Sequence, residues 1–387
     1  MSEIVDFFDA KFPWSKYKDL ILDYYLRPYL AKVARLRKPI AVVDCFAGPG
    51  RFKDGNSGSP LIISHHLMEA NQRGTEVLGV FVEENETLFS RLKEATRDLA
   101  IPHRLLHGDF HQHVDDIVEL TRTHSVFLYL DPIFPGDLRF DDLAAVYQQL
   151  RSGVSVEVLV NFISPGFVRR AQGLRPRAFT GCSLYRVSGR ESDLGRLDPE
   201  NKEVIECNRI AGGDYWQNIV FDSTLSQADR VEAVATEYVN RLRRRWFPYV
   251  IKYPIREKYE YDVPKYHLIF GSRSTDAVEL MNRAMVTARR EFVGAQFVDG
   301  QLFANEPAQE VIDESAVSRT VIEVMSRIGV PTTWKELRVA AIIQEPCRYT
   351  ESDWNRGIKK AVAAGKIQAS VDGSRIVDDA QLWAKNT

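Results

Sequence analysis

At 387 residues the chain has length for two or three domains and a large buried core, which excludes a small disulfide-stapled scaffold. A hydrophobic share of 44% and a charged share of 27% exclude disordered and fibrous classes. Lysine and arginine number 51 against 53 aspartates and glutamates, so the net charge of −2 gives no whole-molecule attraction to polyanions, and any nucleic-acid contact has to come from local basic patches.

No apolar run reaches the roughly 18 residues of a membrane span, and the opening MSEIVDFFDAKFPW lacks a basic-then-apolar leader pattern. The expectation is a soluble, cytoplasmic protein without membrane contact. Cys45, Cys182, Cys207 and Cys347 form no CxxC pair and read as reduced thiols, which leaves zinc ribbons and redox motifs without support. There is no internal repeat.

Residues 15–38 carry apolar side chains at 17, 20, 21 and 24, a helical spacing, with Pro28 expected to kink or divide the helix. PIAVVDCF (39–46) reads as a buried strand that leaves the sheet at Asp44 into the tight Gly48-Pro49-Gly50 loop. Strand-like and helix-like segments then alternate: 76–83, 85–99, 102–108, 114–123, 125–131, 140–150 and 154–162. That order predicts a parallel sheet with right-handed helical crossovers. Residues 164–215 break the rhythm with Gly, Arg and Ser and read as an insertion, a lid or substrate region. A helix at about 226–245 then leads into WFPYVIKYP (246–254) and KYHLIFGS (265–272), placed to pair as a hairpin. Five parallel strands closed by an antiparallel hairpin is the α/β, Rossmann-like sheet of class I methyltransferases. One more helix (273–294) completes a domain expected over 1–295. A linker with a short hairpin follows at 296–312. In 313–387 helices at 314–328, from Thr332-Thr333, and from Thr350, then a hairpin around Asp372-Gly373, predict a winged-helix domain.

The first motif with chemistry is D44-C-F-A-G-P-G50. At a strand end, Gly48 and Gly50 let the backbone approach a ligand, and Asp44 can hydrogen-bond a cofactor or the loop amides. The dinucleotide pattern GxGxxG is absent, because Phe46 stands where its first glycine would be. D-x-F-x-G-x-G is the shape used by many S-adenosylmethionine-dependent methyltransferases. Glu83 ends the second strand, where an acidic side chain accepts ribose hydroxyls, and Asp109 with Phe110 ends the third, suited to an adenine amine and ring. Asp131-Pro132 ends the fourth. All four acids would thus lie at the carboxyl edge of one sheet, where open α/β sheets bind ligands. The lengthened first loop, RFKDGNSGSP (51–60), carries Gly58-Ser59-Pro60, read as a helix start.

In the WSKYKDLILDYYLRPYL opening, DCFAGPGRFKDGNSGSPLI, the LDP turn, VEVLVNF and KYHLIFGSRSTDAVELM, the sequence resembles the three-Cys-motif partner protein family over roughly residues 11–290. The resemblance implies a class I methyltransferase fold with S-adenosyl-L-methionine as cofactor, a C-terminal winged-helix-like domain, and a separately encoded partner with three cysteines, similar to radical S-adenosylmethionine proteins. It marks Asp44, Gly48, Gly50, Glu83, Asp109 and Asp131 as site residues. Family members usually read D-P-F-G at the fourth strand, where this chain has Asp131-Pro132-Ile133-Phe134.

Enzymes that methylate base amines use an Asp-Pro-Pro-aromatic turn to hold the amine and stack a flipped base. Asp131, Pro132 and Phe134 form a copy with one proline lost and are the candidate catalytic residues. No Pro-Cys lies at this turn, which argues against cytosine C5 chemistry. Two basic stretches are candidates for phosphate contact: Arg169, Arg170, Arg175 and Arg177, and Arg241, Arg243, Arg244 and Arg245, the latter also well placed as cations at a helix C-terminus. In the C-terminal module Trp354, Ile358 and Val362 should face the core, with Arg356, Lys359 and Lys360 on an open face that suits either a DNA groove or a partner protein. His103, His107, His111 and His113 crowd one region without carboxylate-backed geometry, so no metal is expected. The expected activity is methyl transfer to DNA or RNA. The alternative is a non-catalytic adaptor that keeps the fold and presents nucleic acid or a partner.

Overall fold

The computed structural model describes residues 8–9, 11–148, 154–174, 197–257, 261–298, 312–371 and 377–384. Five strands, β1 (Ile40–Asp44), β2 (Val77–Glu83), β3 (His103–His107), β4 (Ser125–Leu130) and β5 (Val156–Phe162), run parallel. β6 (Tyr249–Ile255) and β7 (Tyr266–Ser272) form the predicted hairpin, and β7 pairs antiparallel with β5. The order β3-β2-β1-β4-β5-β7-β6 is the class I methyltransferase sheet expected from the sequence. β1, β4 and β5 are buried at every position, so they read as unbroken apolar runs rather than alternating ones.

Helices cover both faces. On one lie α1 (Pro13–Val33), α2 (Ser59–Gln72) and α10 (Thr275–Val298). On the other lie α4 (Val114–Thr123), α5 (Phe140–Gln148), α6 (Ser164–Gln172) and α9 (Gln227–Arg245). The buried face of α1 is Tyr17, Ile21, Leu22, Tyr25, Leu26, Tyr29 and Leu30, whereas Leu20 and Tyr24, expected inside, are only partly covered or exposed. Pro28 does not divide this helix. Its missing N–H costs one bond, while the buried rings on both sides of it keep the helix on the sheet: Tyr25 packs 5.4 Å from both Phe127 and Phe270, and Tyr29 5.4 Å from Phe127.

Under α1 the fully buried Glu157 of β5 takes a hydrogen bond from the Tyr25 hydroxyl, and burial pushes its carboxyl up from 4.5 to about 7. The folded chain therefore holds this proton to higher pH than the unfolded chain, and stability falls as pH rises between those two values. Glu157→Gln is expected to be near-neutral at pH 5 and stabilising at pH 8 by on the order of 2 kcal/mol. Urea denaturation at both pH values checks it, and equal effects at the two would contradict it.

The segment 164–215 is not aperiodic as expected. It holds α6 and α7 (Lys202–Ala211), and α8 (Trp216–Val220) begins just beyond it, with Phe167, Val168, Ala171, Val204, Cys207 and Ile210 buried. The apolar spacing was diluted by the interposed stretch 175–196, which lies outside the described residues together with Arg175, Arg177 and Cys182.

Beyond α10 come α11 (Glu314–Ile328), β8 (Thr332–Thr333), α12 (Trp334–Gln344), α13 (Glu351–Ala363), β9 (Ile367–Ala369) and β10 (Gln381–Ala384), with the strands in the order β8-β10-β9. Thr333 and Thr350 cap α12 and α13 with full capping boxes, as their positions predicted. β10 begins later than the expected hairpin strand. The turn at Asp372-Gly373 and the linker hairpin lie outside the described residues. These helices share one core with the α1 face, and α10 is the common element: Asn282 donates to the Tyr349 carbonyl at 2.8 Å and accepts from the Cys347 amide at 2.8 Å. Among the described residues no helix is long and apolar enough to cross a membrane.

Candidate active site

A cavity of about 630 Å³ opens at the carboxyl edge of the sheet. Its wall carries the ends of β1, β2, β3, β4 and β5, the start of α1 and the turn before β7. This is where the strand order reverses between β1 and β4, the place where an α/β sheet leaves a crevice.

One half is acidic. Phe46, Gly48, Glu83, Asp109 and Phe110, the cofactor-binding candidates of the sequence, line it together with Glu84, Glu86 and Asp137. Glu83 is nearly buried. Its Oε2 accepts from the Gly48 amide and its Oε1 from the Asn85 amide, both at 2.8 Å, which ties the end of β2 to the glycine loop. Burial raises its carboxyl above the usual value and the two amides oppose that. Asp109 accepts from the His111 amide at 3.0 Å, and the buried Phe110 ring lies 5.9 Å from Phe46. His111 pairs with Asp142 at 2.5 Å. Burial lowers its pKa, but the carboxylate more than offsets this and leaves it above the ordinary value.

Asp44 and Gly50 are not on the wall. Asp44 is fully buried beneath it, holding the Phe46 amide at 3.2 Å, and burial pushes its carboxyl from 3.8 to about 7. Gly50 has φ 72° and faces α3 (Glu86–Thr96), where a Cβ would meet Ala95 at 3.0 Å. Gly48 has φ 63° and faces Phe8, whose ring would lie 2.9 Å from a Cβ there. These residues shape the loop, and Gly48 alone of the three reaches the cavity.

The strap that carries Phe8, Asp9 and Lys11 also reaches the cavity, where Phe8 and Lys11 line the wall. The Lys53 and Asp54 amides donate to the Phe8 and Asp9 carbonyls, both at 3.2 Å, and the Lys11 amide donates to Asp54 at 2.9 Å. Lys11 also pairs with Asp19, and its pKa is lowered to about 8 by burial and by Lys18. The lengthened first loop is thus the dock for the strap. Gly58-Ser59-Pro60 starts α2 as expected.

The other half is built from residues that the sequence reading missed: Lys18 and Trp14 on α1, Asn161 on β5, and Lys265 and Tyr266 at β7. Asp131 does not stand free for a ligand amine. Its carboxylate is paired with the buried Lys18, takes the Asn161 amide at 2.7 Å and takes the Tyr129 hydroxyl at 3.2 Å. Pro132 and Phe134 line the cavity beside it, Phe134 half exposed at 52%. Lys18 and Asn161 had a legible signal, since each is a polar side chain on a buried and mostly apolar element.

None of the basic candidates lines the cavity, although Arg170 packs against Gly136 of its wall, and most are engaged. Arg170 pairs with Glu203 at 2.9 Å, Arg243 donates to the Val250 carbonyl at 2.6 Å, and Arg244 pairs with Glu237. Arg356 pairs with Asp353 and Glu314, Lys360 donates to Ser315 at 3.0 Å, and Arg169 is exposed. Among the described residues no group of His, Cys, Asp or Glu is arranged to hold a metal.

No family model and no curated protein matches the chain. Solved structures do resemble it. A putative caffeoyl-CoA O-methyltransferase from Staphylococcus aureus is 10% identical over 64% of this chain and 82% of its own, with a TM-score of 0.30. The plantazolicin methyltransferase BamL, solved with a triazolic desmethylPZN analog and SAH, is 11% identical over 67% and 86%, with a TM-score of 0.28. An S-adenosylmethionine-dependent methyltransferase from Clostridium acetobutylicum ATCC 824 is 15% identical over 43% and 55%, with a TM-score of 0.22, so the chain spans about half of that protein. At these scores the likenesses add no argument about activity, and the class I methyltransferase fold rests on the chain's own strand order, β3-β2-β1-β4-β5-β7-β6 with β7 antiparallel.

Proposed function

We propose that the chain is an S-adenosyl-L-methionine-dependent methyltransferase of the cytoplasm that acts on nucleic acid together with a separately encoded three-cysteine partner. The observation that carries the reading is the acidic half of the cavity: Gly48, Glu83, Asp109 and Phe110 converge from three strand ends on one crevice of the reversed sheet. The residues fit the cofactor. Glu83 offers a carboxylate with lone pairs beyond its two amide bonds, Phe46 and Phe110 offer ring faces, Asp109 offers a second carboxylate oxygen, and the volume is that of a small-molecule site. The group would supply a sulfonium methyl. The protein's own share is to bind, orient and exclude water, because methyl transfer depends on in-line placement more than on acid-base help.

On this reading residues 1–295 form the methyltransferase domain, Asp131, Pro132 and Phe134 border the acceptor, and 313–387 is a winged-helix domain joined by 296–312. Arg169, Arg170, Arg243, Arg244, Arg356 and Lys360 are the nucleic-acid candidates, and the surface ion pairs of Arg170, Arg244 and Arg356 are weak enough, at about 0–1 kcal/mol, to exchange for phosphate. One observation favours a second reading, a non-catalytic adaptor: the Asp131 carboxylate is already taken by Lys18, Asn161 and Tyr129.

Transfer of a tritiated methyl group into total nucleic acid, with and without the three-cysteine partner, separates the two. Incorporation that disappears in Asp131→Ala is expected. No incorporation under either condition, by a chain that binds the cofactor, would leave the adaptor.

A further inference from the structure

Phe8 lies on the cavity wall, 9% exposed, with its ring 5.5 Å from that of Phe52, another wall residue. It packs against Gly48 where that residue carries no side chain, since a Cβ there would come within 2.9 Å of the ring. Gly48 also lines the cavity, and its amide donates to Glu83, the carboxylate read as the acceptor of the ribose hydroxyls. The first loop is therefore gripped from two sides, by Glu83 at the end of β2 and by Phe8 on the strap. The two ends of the strap are held differently. Lys11 is anchored: it pairs with Asp19 of α1, donates from Nζ to the Ser57 carbonyl at 2.5 Å and donates from its amide to Asp54 at 2.9 Å. The end with Phe8 and Asp9 has a thinner hold. Its carbonyls accept from the Lys53 and Asp54 amides at 3.2 Å, the long end of the normal range, and its Asp9 pairs with Lys53 where both side chains are about half exposed, so that the pair contributes little. What remains is the Phe8 ring.

Resting on the methyltransferase reading above, we propose that Phe8 is a positioning residue of the cofactor site, and that the end of the strap carrying Phe8 and Asp9 docks and releases together with the cofactor. The coupling runs through the Gly48 loop. Cofactor hydroxyls on Glu83 hold the carboxylate that holds the Gly48 amide, which fixes the surface on which Phe8 packs. The docked ring in turn supports Gly48 at φ 63°, the conformation in which its amide reaches Glu83. Each event therefore lowers the cost of the other. Linkage makes the effect equal in both directions: by whatever factor bound cofactor favours docking, docking favours the cofactor. A chain end held by few buried contacts and by exposed hydrogen bonds opens locally, ahead of the sheet behind it. Lys11 keeps the strap tethered to α1 while that end lifts.

Hydrogen exchange of the full chain, with and without saturating S-adenosylhomocysteine, reads the coupling at the Lys53 and Asp54 amides, which donate to the strap. In the free chain these two are expected to exchange well ahead of the β4 amides, and bound S-adenosylhomocysteine should slow them by about tenfold or more, a comparison that needs no variant. Calorimetry should show the matching loss, about tenfold in affinity for S-adenosylhomocysteine, in Phe8→Ala. Phe8→Leu, which keeps an apolar side chain against Gly48, should lose less than about threefold. The proposal is overturned if Lys53 and Asp54 exchange in step with β4 in the free chain, if bound S-adenosylhomocysteine leaves their exchange unchanged, if Phe8→Ala binds it as the wild type does, or if Phe8→Leu loses as much as Phe8→Ala. A folded chain that binds no S-adenosylhomocysteine at all would instead overturn the underlying methyltransferase reading.

Discussion

Glu83→Ala is expected to weaken S-adenosylhomocysteine binding by about a hundredfold or more. The carboxylate does two things at once: it would accept cofactor hydroxyls, and it already accepts the Gly48 and Asn85 amides at 2.8 Å. Hydrogen bonds to a charged group contribute about 1.5–3 kcal/mol each, and every 1.4 kcal/mol is about tenfold in affinity. Its removal also frees the glycine loop, whose Gly48 takes φ 63° against Phe8, so the loss includes reorganisation of the wall. Glu83→Gln should fall between, because an amide cannot accept from both backbone N–H groups. Isothermal calorimetry reads both variants, and wild-type affinity in Glu83→Ala would remove this residue from the site.

Arg338→Ala is expected to cost roughly 3–5 kcal/mol of stability. The side chain is 1% exposed and joins three elements: it donates to Glu279 of α10 at 2.6 Å, to Asn355 of α13 at 3.0 Å and to Asp378 before β10 at 3.0 Å. Without it Glu279 stays buried with no guanidinium. Burial already holds the Glu279 carboxyl above its usual value, and Arg338 is the main group opposing that. The double change Arg338→Met with Glu279→Leu should recover most of the loss, since an apolar pair of similar volume replaces the buried ion pair without stranding a charge. Urea denaturation at pH 7 measures both. A loss under about 1 kcal/mol in Arg338→Ala would show that the shared apolar core alone joins α10 to the C-terminal helices.

The parts legible in the sequence were those encoded locally. An apolar run ending in Asp44 and a glycine loop, acids at two further strand ends, and threonines three residues ahead of an acid each state their geometry within a few positions. Tertiary packing overrode local rules elsewhere: Pro28 stays inside α1 because buried rings flank it, and α7 was hidden by the stretch before it. Lys18 and Asn161 were missed because their meaning depends on Asp131, which lies 113 residues from Lys18 in sequence. A lysine on the buried side of a helix and an asparagine in an apolar strand are nonetheless signals, since burying either without a partner is costly. The same logic explains why Asp131 read as a free acceptor: its position was visible, its three donors were not.

The central claim is that the crevice above β1, β2 and β3 holds S-adenosyl-L-methionine. Its most direct test is isothermal calorimetry of the full chain with S-adenosylhomocysteine, run beside circular dichroism to establish that the protein is folded. The expected result is one site per chain with a dissociation constant of about a micromolar, near −8 kcal/mol. A folded protein that gives no heat of binding at millimolar ligand would contradict it.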